Sequence, residues 1–558
     1  MSEENSDTNV VDAAPRRPGS MDDDDESGHS VNVNVTETMR AKSETESEHD
    51  DDDVECYEDK PTKGEVMGWC FYELCSYFTH TVLLTIVFPL IISQTFSNEP
   101  PEPARGWYKN GRGFLCTKKE TVLFEALTFA RIKVGTLKFS PLEWTSISWF
   151  SGLLLAAPLL AAVSTHLDHR PNPHLLTATA TAIGAILCLP SGAIQTVYIM
   201  PPYVAAVVSS TAVGSAFHNR HLALMLRSFL GPTVPKTQFS DRQSVSGRLS
   251  IFATAAGCLG SAAIASFTYY MLRNSEGFVS LWVVSIFSGI LWFAGIAHIL
   301  TATRSAGKTS KNQSSVSAAH FVSIFNYPHA AGSLAGVFLS SFSTMSIFTG
   351  AVLYIVGELC VPPDDILFVW LTYFFFPILA LPLLHPVQKV IKSDAVKMQV
   401  FGFLLTTLAS GTGYYYRQRD WHYNHVLFLA AAQSTGAGVL HAFSRVLLMD
   451  CAPFGKEGVF AAWFSWVRML GAFVGFAVGS SGAGSISRSF GCAFAAAVVG
   501  VVVLVFSNVS SYGGAVAAGH VYRSRETGAP VAASGLDEVV RVKGKGDLEG
   551  AQDRSMEV

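Results

Sequence analysis

The sequence predicts an all-α polytopic membrane protein of about twelve transmembrane helices in two six-helix halves. Three observations carry that expectation. Of 558 residues, 49% are apolar, 12% aromatic and only 15% charged, with mean hydropathy of +0.31. Windows of about 19 residues, matched to a hydrocarbon core of roughly 30 Å, find apolar stretches from residue 67 to residue 508. A polar segment near the middle, 302–331, containing Lys308, Lys311 and Asn312, separates six such stretches from six more, the plan of a carrier built from two halves.

The expected spans 1 to 12 lie at 68–95, 142–164, 174–194, 198–218, 249–271, 278–300, 332–357, 366–386, 396–415, 425–448, 459–481 and 488–508. The halves are then 67–301 and 332–508, joined by the linker and flanked by tails 1–66 and 509–558. An even number of spans puts both tails on one side. Arg220, Arg227, Lys236, Arg242, Arg304, Lys308, Lys389 and Lys392 fall in loops on that side, which the positive-inside bias makes cytosolic. The long loop 97–140 carries Arg105, Lys109, Arg112, Lys118 and Lys119 on the other side, and long loops cross regardless of charge.

Residues 1–65 hold 21 acidic side chains against 6 Lys or Arg, and include Asp22-Asp23-Asp24-Asp25-Glu26. Such a segment lacks the apolar residues for a core and reads as a disordered, flexible tail; so does 509–558. Its sign argues against nucleic acid as a partner. No apolar stretch precedes residue 67, so no cleavable signal peptide is expected. Five of nine cysteines fall within spans as small hydrophobes, and Cys116 and Cys360, both on the non-cytosolic side, leave a disulfide open. No HExxH, P-loop, GxSxG or Cys/His metal pattern occurs, so no enzyme, metal site or cofactor is expected.

The informative residues are ionisable groups at membrane depth. A charge at the centre of a membrane helix costs roughly 2.5 to 3.5 kcal/mol, so such groups face partners or watery cavities. Glu73, Tyr77 and His80 share one face of span 1, with His80 near the midplane, a substrate or proton site alongside the reading of a satisfied imidazole and a carboxylate at a helix N-terminus. Arg468 in span 11, flanked by Trp463, Phe464 and Trp466, needs an anion: a substrate carboxylate gripped by two hydrogen bonds, or a permanent pair with Glu73. Span 10 places His441 and Arg445 one turn apart towards the cytosolic end, a gate in which Arg445 pairs with Asp450 or Glu457. Ser340, Ser341, Ser343, Thr344, Ser346 and Thr349 on span 7 suit a cavity wall. Single midplane charges, not rings of them, argue against a channel.

Three stretches give the chain a resemblance to a known family. Gly68-Trp69-Cys70-Phe71-Tyr72-Glu73 opens span 1; Asp241-Arg242-Gln243-Ser244-Val245-Ser246-Gly247 opens span 5; Ser444-Arg445, Pro453, Lys456-Glu457, Phe460 and Arg468 run through spans 10 and 11. Across residues 67–510 this resembles the vacuolar amino-acid effluxers related to autophagy protein twenty-two, a branch of the major facilitator superfamily. The resemblance implies proton-coupled export of amino acids from an acidic vacuole to the cytosol, in a vacuolar membrane or alternatively the plasma membrane. Another small polar solute, or a non-transporting nutrient sensor, remains the alternative. One departure concerns the gate: the superfamily's Gly-x-x-x-Asp-Arg pattern places Asp near Thr165, and Asp168 with Arg170 would substitute from a shifted position.

Overall fold

The computed structural model describes residues 59–96, 118–169, 173–193, 196–274, 281–302, 318–357, 363–419, 421–481, 486–507 and 509–522, with positions 304, 359 and 361. The acidic tail, Cys116, Cys360 and Arg170 lie outside the described residues, and with them the disulfide and part of the expected gate. Among the described residues, eleven helices are long and apolar enough to cross a membrane, and Ala395–Tyr415, a more polar helix of 21 residues, makes a twelfth. The spans run Lys63–Thr95, Pro141–His169, Pro173–Ala193, Val197–Leu230, Lys236–Arg273, Leu281–Thr301, Ala330–Gly357, Pro363–Ile391, Ala395–Tyr415, Tyr423–Asp450, Glu457–Ser480 and Ile486–Phe506.

Several helices outrun their apolar cores. Spans 4 and 5 extend past the expected ends, so Asn219-Arg220-His221 continues the buried helix of Phe217 and His218 and is not loop. Span 1 starts at Lys63, where the Thr62 hydroxyl accepts a hydrogen bond from the Glu65 N–H at 3.1 Å and caps the helix. Its middle, Thr79–Val87, is a π-helical stretch that begins one residue before His80. Such wide turns in membrane and soluble helices often mark functional positions.

The halves meet along spans 2 and 4 against 11, and span 5 against 8 and 10. Small residues set the close approaches. A Cβ at Gly260 would stand 1.9 Å from the Leu74 carbonyl oxygen, and one at Gly471 would stand 2.5 Å from that of Phe338. Large apolar side chains such as Leu379, Leu383 and Val390 stay exposed on span 8, the signature of a lipid-facing surface.

Two faces close the molecule. On the loop face, the helix Lys118–Thr128 and a hairpin, β1 (Ile132–Val134) with β2 (Leu137–Phe139), lie over the gap, with Phe124 buried against Gly357. On the opposite, linker face, the chain after span 12 does not run free as expected. Residues Ser511–Ala517 form a helix, and β4 (Val521–Tyr522) pairs in parallel with β3 (Val234–Pro235) from the loop after span 4. Val234, Phe239, Ala515 and Val521 give this strap its own small apolar core.

Candidate functional site

A single carboxylate, Glu73, organises the interior. Span 1 carries it into the contact with spans 4, 5 and 10. There its Oε2 lies 2.5 Å from His218 Nε2 and accepts from Arg445 Nη1 at 3.3 Å. Its Oε1 lies 3.0 Å from His441 Nε2 and accepts from Arg445 Nη2 at 3.5 Å. Arg445 also reaches Thr254 Oγ1 at 3.4 Å and sits 5.4 Å above the ring of Trp69, which in turn stacks on His218. This two-point Arg–carboxylate pair is buried, and the added hydroxyl and imidazoles partner Glu73 and both Arg445 Nη atoms, while Arg445 Nε has no partner among the described residues.

This geometry corrects the reading of span 10. His441 and Arg445 are not gate residues that hold Asp450 or Glu457: both belong to the central cluster. Asp450 is held by Gln243 Nε2 at 2.5 Å and by Arg242 Nε at 3.5 Å, and Glu457 has Arg227 Nη1 at 4.0 Å. Depth along one helix does not say which neighbour it faces.

Arg468 is not the permanent partner of Glu73 either. Its Nη1 lies 3.0 Å from His441 Nδ1, its Nε is buried without a partner, and it makes no ion pair within 4.0 Å among the described residues. It lines two small cavities. One, about 20 Å³, is bounded by Tyr72, Glu73, Tyr77, His80, His218 and Asn219; the other, about 60 Å³, by Tyr77, His80, Ser340, Ser341, Thr344 and His441. The structure thus brings together Glu73, Tyr77, His80 and Arg468 around one space, with Tyr77 edge-on to His80 at 4.8 Å. Counting Glu73 against Arg445 and Arg468, the cluster with neutral imidazoles carries one uncompensated positive charge, and protonating any imidazole adds to it.

Towards the loop face two further cavities, of about 110 and 90 Å³, are lined almost wholly by apolar and aromatic side chains. Phe348, Val352, Val356, Ile366 and Trp370 line both.

On the linker face, Asp168 stands at the last turn of span 2 and reaches across to span 11. Its Oδ1 accepts from the Gly458 N–H at 2.6 Å and its Oδ2 from the Val459 N–H at 3.1 Å, while His320 Nε2 lies 3.2 Å away. A carboxylate on the first free N–H groups of a helix also meets the positive end of its dipole. The shifted Asp168 therefore clamps the two halves. Glu457, buried at the start of span 11, stands beside this clamp.

Sequence reading missed Glu65, His218, His221 and His298. Their signal was present: three histidines at or beside the expected span ends at 218 and 300, and one carboxylate just before span 1. Ending span 4 at 218 and starting span 1 at 68 left His221 and Glu65 outside the spans.

No protein-family model matches the chain, and no curated protein sequence does. Among solved structures, the human organic anion transporter MFSD10 (TETRAN) is similar in fold, with a TM-score of 0.52 at 12% identity, over 79% of this chain and 99% of that one. A bacterial homologue of the iron transporter ferroportin in an outward-facing state gives a TM-score of 0.49 at 12% identity, over 80% and 99%. The chain therefore shares the fold of MFSD10, an all-helical arrangement with many helices of membrane-spanning length.

Proposed function

We propose that this chain is a secondary active carrier that moves amino acids from an acidic vacuole to the cytosol by alternating access, driven by protons. The observation that carries the reading is Arg468, a buried guanidinium beside a cavity with no carboxylate partner among the described residues. A substrate carboxylate would neutralise the surplus positive charge and take two parallel hydrogen bonds. Glu73 and His80, on the same cavity, are the proton-binding groups, and His441 couples Glu73 to Arg468 by touching both. The halves rock about this site, with the Asp168 clamp and the Asp450–Gln243–Arg242 contact closing the cytosolic side. The basic residues on the linker face support a cytosolic orientation for that face.

A second reading changes the cargo and keeps the site. The two apolar cavities towards the loop face suit a carboxylate carried on an apolar body, an amphipathic organic anion and not a small polar amino acid. The test is release from proteoliposomes of labelled glycine, leucine, phenylalanine and benzoate, with and without an acid-inside gradient. Gradient-dependent release of leucine or phenylalanine supports the amino-acid reading; benzoate alone supports the second; no flux of any of them contradicts both.

A further inference from the structure

Behind Glu73, the N-terminal half contains a line of imidazoles that starts at His218 in the central cluster and continues through two that the cluster does not use, His298 and His221. His218 Nε2 lies 2.5 Å from Glu73. The His218 ring meets that of His298 at 6.2 Å and 76°, and His298 meets His221 at 5.3 Å and 82°. His221 Nε2 ends the line 2.9 Å from Glu65 Oε1. Glu65 is buried, but Lys63 and Gly64 beside it are exposed at the linker face. Spans 1, 4 and 6 supply all five residues; Glu73 and His218 also meet Arg445 of the other half, while the remaining three pair within the N-terminal half.

Each imidazole has a ring nitrogen without a partner among the described residues: Nδ1 of His218, Nδ1 of His221 and Nε2 of His298. A buried polar atom left so costs about 1–3 kcal/mol, and a purely structural histidine normally avoids it. Three in mutual contact between two carboxylates are an arrangement with a use. The charged and titratable groups around them are Arg445 on span 10 beside His218, Arg220 on span 4 and Arg304 beside His221 and Glu65, and His174 on span 3 beside His298. Tyr72, stacked near His218 and tilted against His298, and Trp69, stacked on His218, pack along the line, whose His218 end borders the smaller cavity.

We infer that His218, His298 and His221 form a proton path through the N-terminal half, carrying protons between Glu73 and Glu65 while the clamp between the halves stays shut. A protonated Glu73 gives its proton to His218 Nε2. Each imidazole gains a proton on one nitrogen and releases one from the other, His218 to His298 through a bridging water and His298 to His221 by ring rotation. His221 Nε2 then delivers a proton to Glu65, which passes it to solvent. One proton moves, every ring ends neutral, and ring rotation resets the line. The use of the path in coupling rests on the proton-driven reading above; its existence is tested without any cargo.

Trp69 stacks on His218 with ring centroids 4.7 Å apart, and an imidazolium quenches indole fluorescence, so Trp69 reports arrival of a proton. The experiment is a stopped-flow jump from pH 8 to pH 5 on the full chain in proteoliposomes, with the jump applied to the linker face and Trp69→Phe identifying the Trp69 phase. The expected result is a quench that slows at least tenfold in His298→Gln and in His221→Gln, with its final amplitude kept. His298→Asn repeats the test should the Gln variant fail to fold. A rate unchanged in folded variants at both positions, or no Trp69-dependent quench in the unsubstituted protein, would overturn the path. Because no substrate is added, failure here is distinct from failure of the amino-acid reading.

Discussion

Arg445 and Arg468 are both buried guanidiniums near Glu73, and their partners make opposite predictions. Removing Arg445 strands Glu73 among groups that no longer neutralise it, a loss of about 3–5 kcal/mol for a broken buried pair. Arg445→Ala is therefore expected to lower the thermal midpoint of purified protein sharply. Arg468→Ala removes a charge that has no carboxylate to leave behind, so its midpoint stays near that of the parent while transport falls at least tenfold. Equal destabilisation by both would contradict this division. How far these residues were legible differs for a physical reason. Glu73, Tyr77, His80 and Arg468 announce themselves through the cost of charge at membrane depth. His441 and Arg445 carry the same signal, but a sequence gives depth and not partner, and so they were read as a gate. His221 was hidden because ionisable residues depress hydropathy and shorten the apparent span; His218 and His298 lie within the expected spans 4 and 6, where a single imidazole near a span end gives no clue to its partner.

At the scale of elements, small residues and caps set which helices approach. Gly260→Val on span 5 drives a side chain into the Leu74 backbone, which cannot swing aside, and overpacking of this kind costs about 1–3 kcal/mol or more. A lower thermal midpoint for Gly260→Val than for Gly135→Val, a hairpin position with open space around it, checks the claim in one direction only, since Gly135 has φ of +60° and carries backbone strain of its own. Small residues inside apolar spans mark close approaches such as those at Gly260 and Gly471; the π-helical stretch at Thr79–Val87 carries no such mark, because no residue type demands it. The C-terminal strap was likewise illegible, being a short polar segment whose order comes from tertiary contacts. His520 anchors it, with Nε2 donating to the Ala452 carbonyl at 2.7 Å, while burial, together with Arg242 and Arg227 nearby, pushes its imidazole down to about 3. The docked strap favours neutral His520, so its docking is at full strength above the ordinary histidine range near 6.5 and weakens as pH falls from there towards 3, by about 1.4 kcal/mol per unit. Hydrogen exchange of residues 511–522 is expected to speed up between pH 7.5 and pH 5 after correction for intrinsic rates, and His520→Gln to remove that dependence.

For the whole molecule, the twelve-span, two-half plan was legible because bilayer thickness fixes helix length and the linker interrupts the apolar pattern. What holds the halves together was legible only in part. Asp168 sits on the wrong turn for the familiar gating pattern, yet it reaches the N–H groups of Gly458 and Val459 because span 2 continues to His169. Asp168→Ala, by freeing the start of span 11, is expected to open the linker face. Faster reaction of a membrane-impermeant maleimide with a cysteine placed at cavity residue Ser444 would record it, and an unchanged rate would count against the clamp. The most direct measurement of the central claim is acid-driven release of labelled leucine and phenylalanine from proteoliposomes, with the parent chain beside Arg468→Ala and Glu73→Gln. The account predicts release that requires the gradient in the parent, loses its carboxylate dependence with Arg468 and loses its gradient dependence with Glu73. Release that is indifferent to Arg468 in folded protein would contradict it.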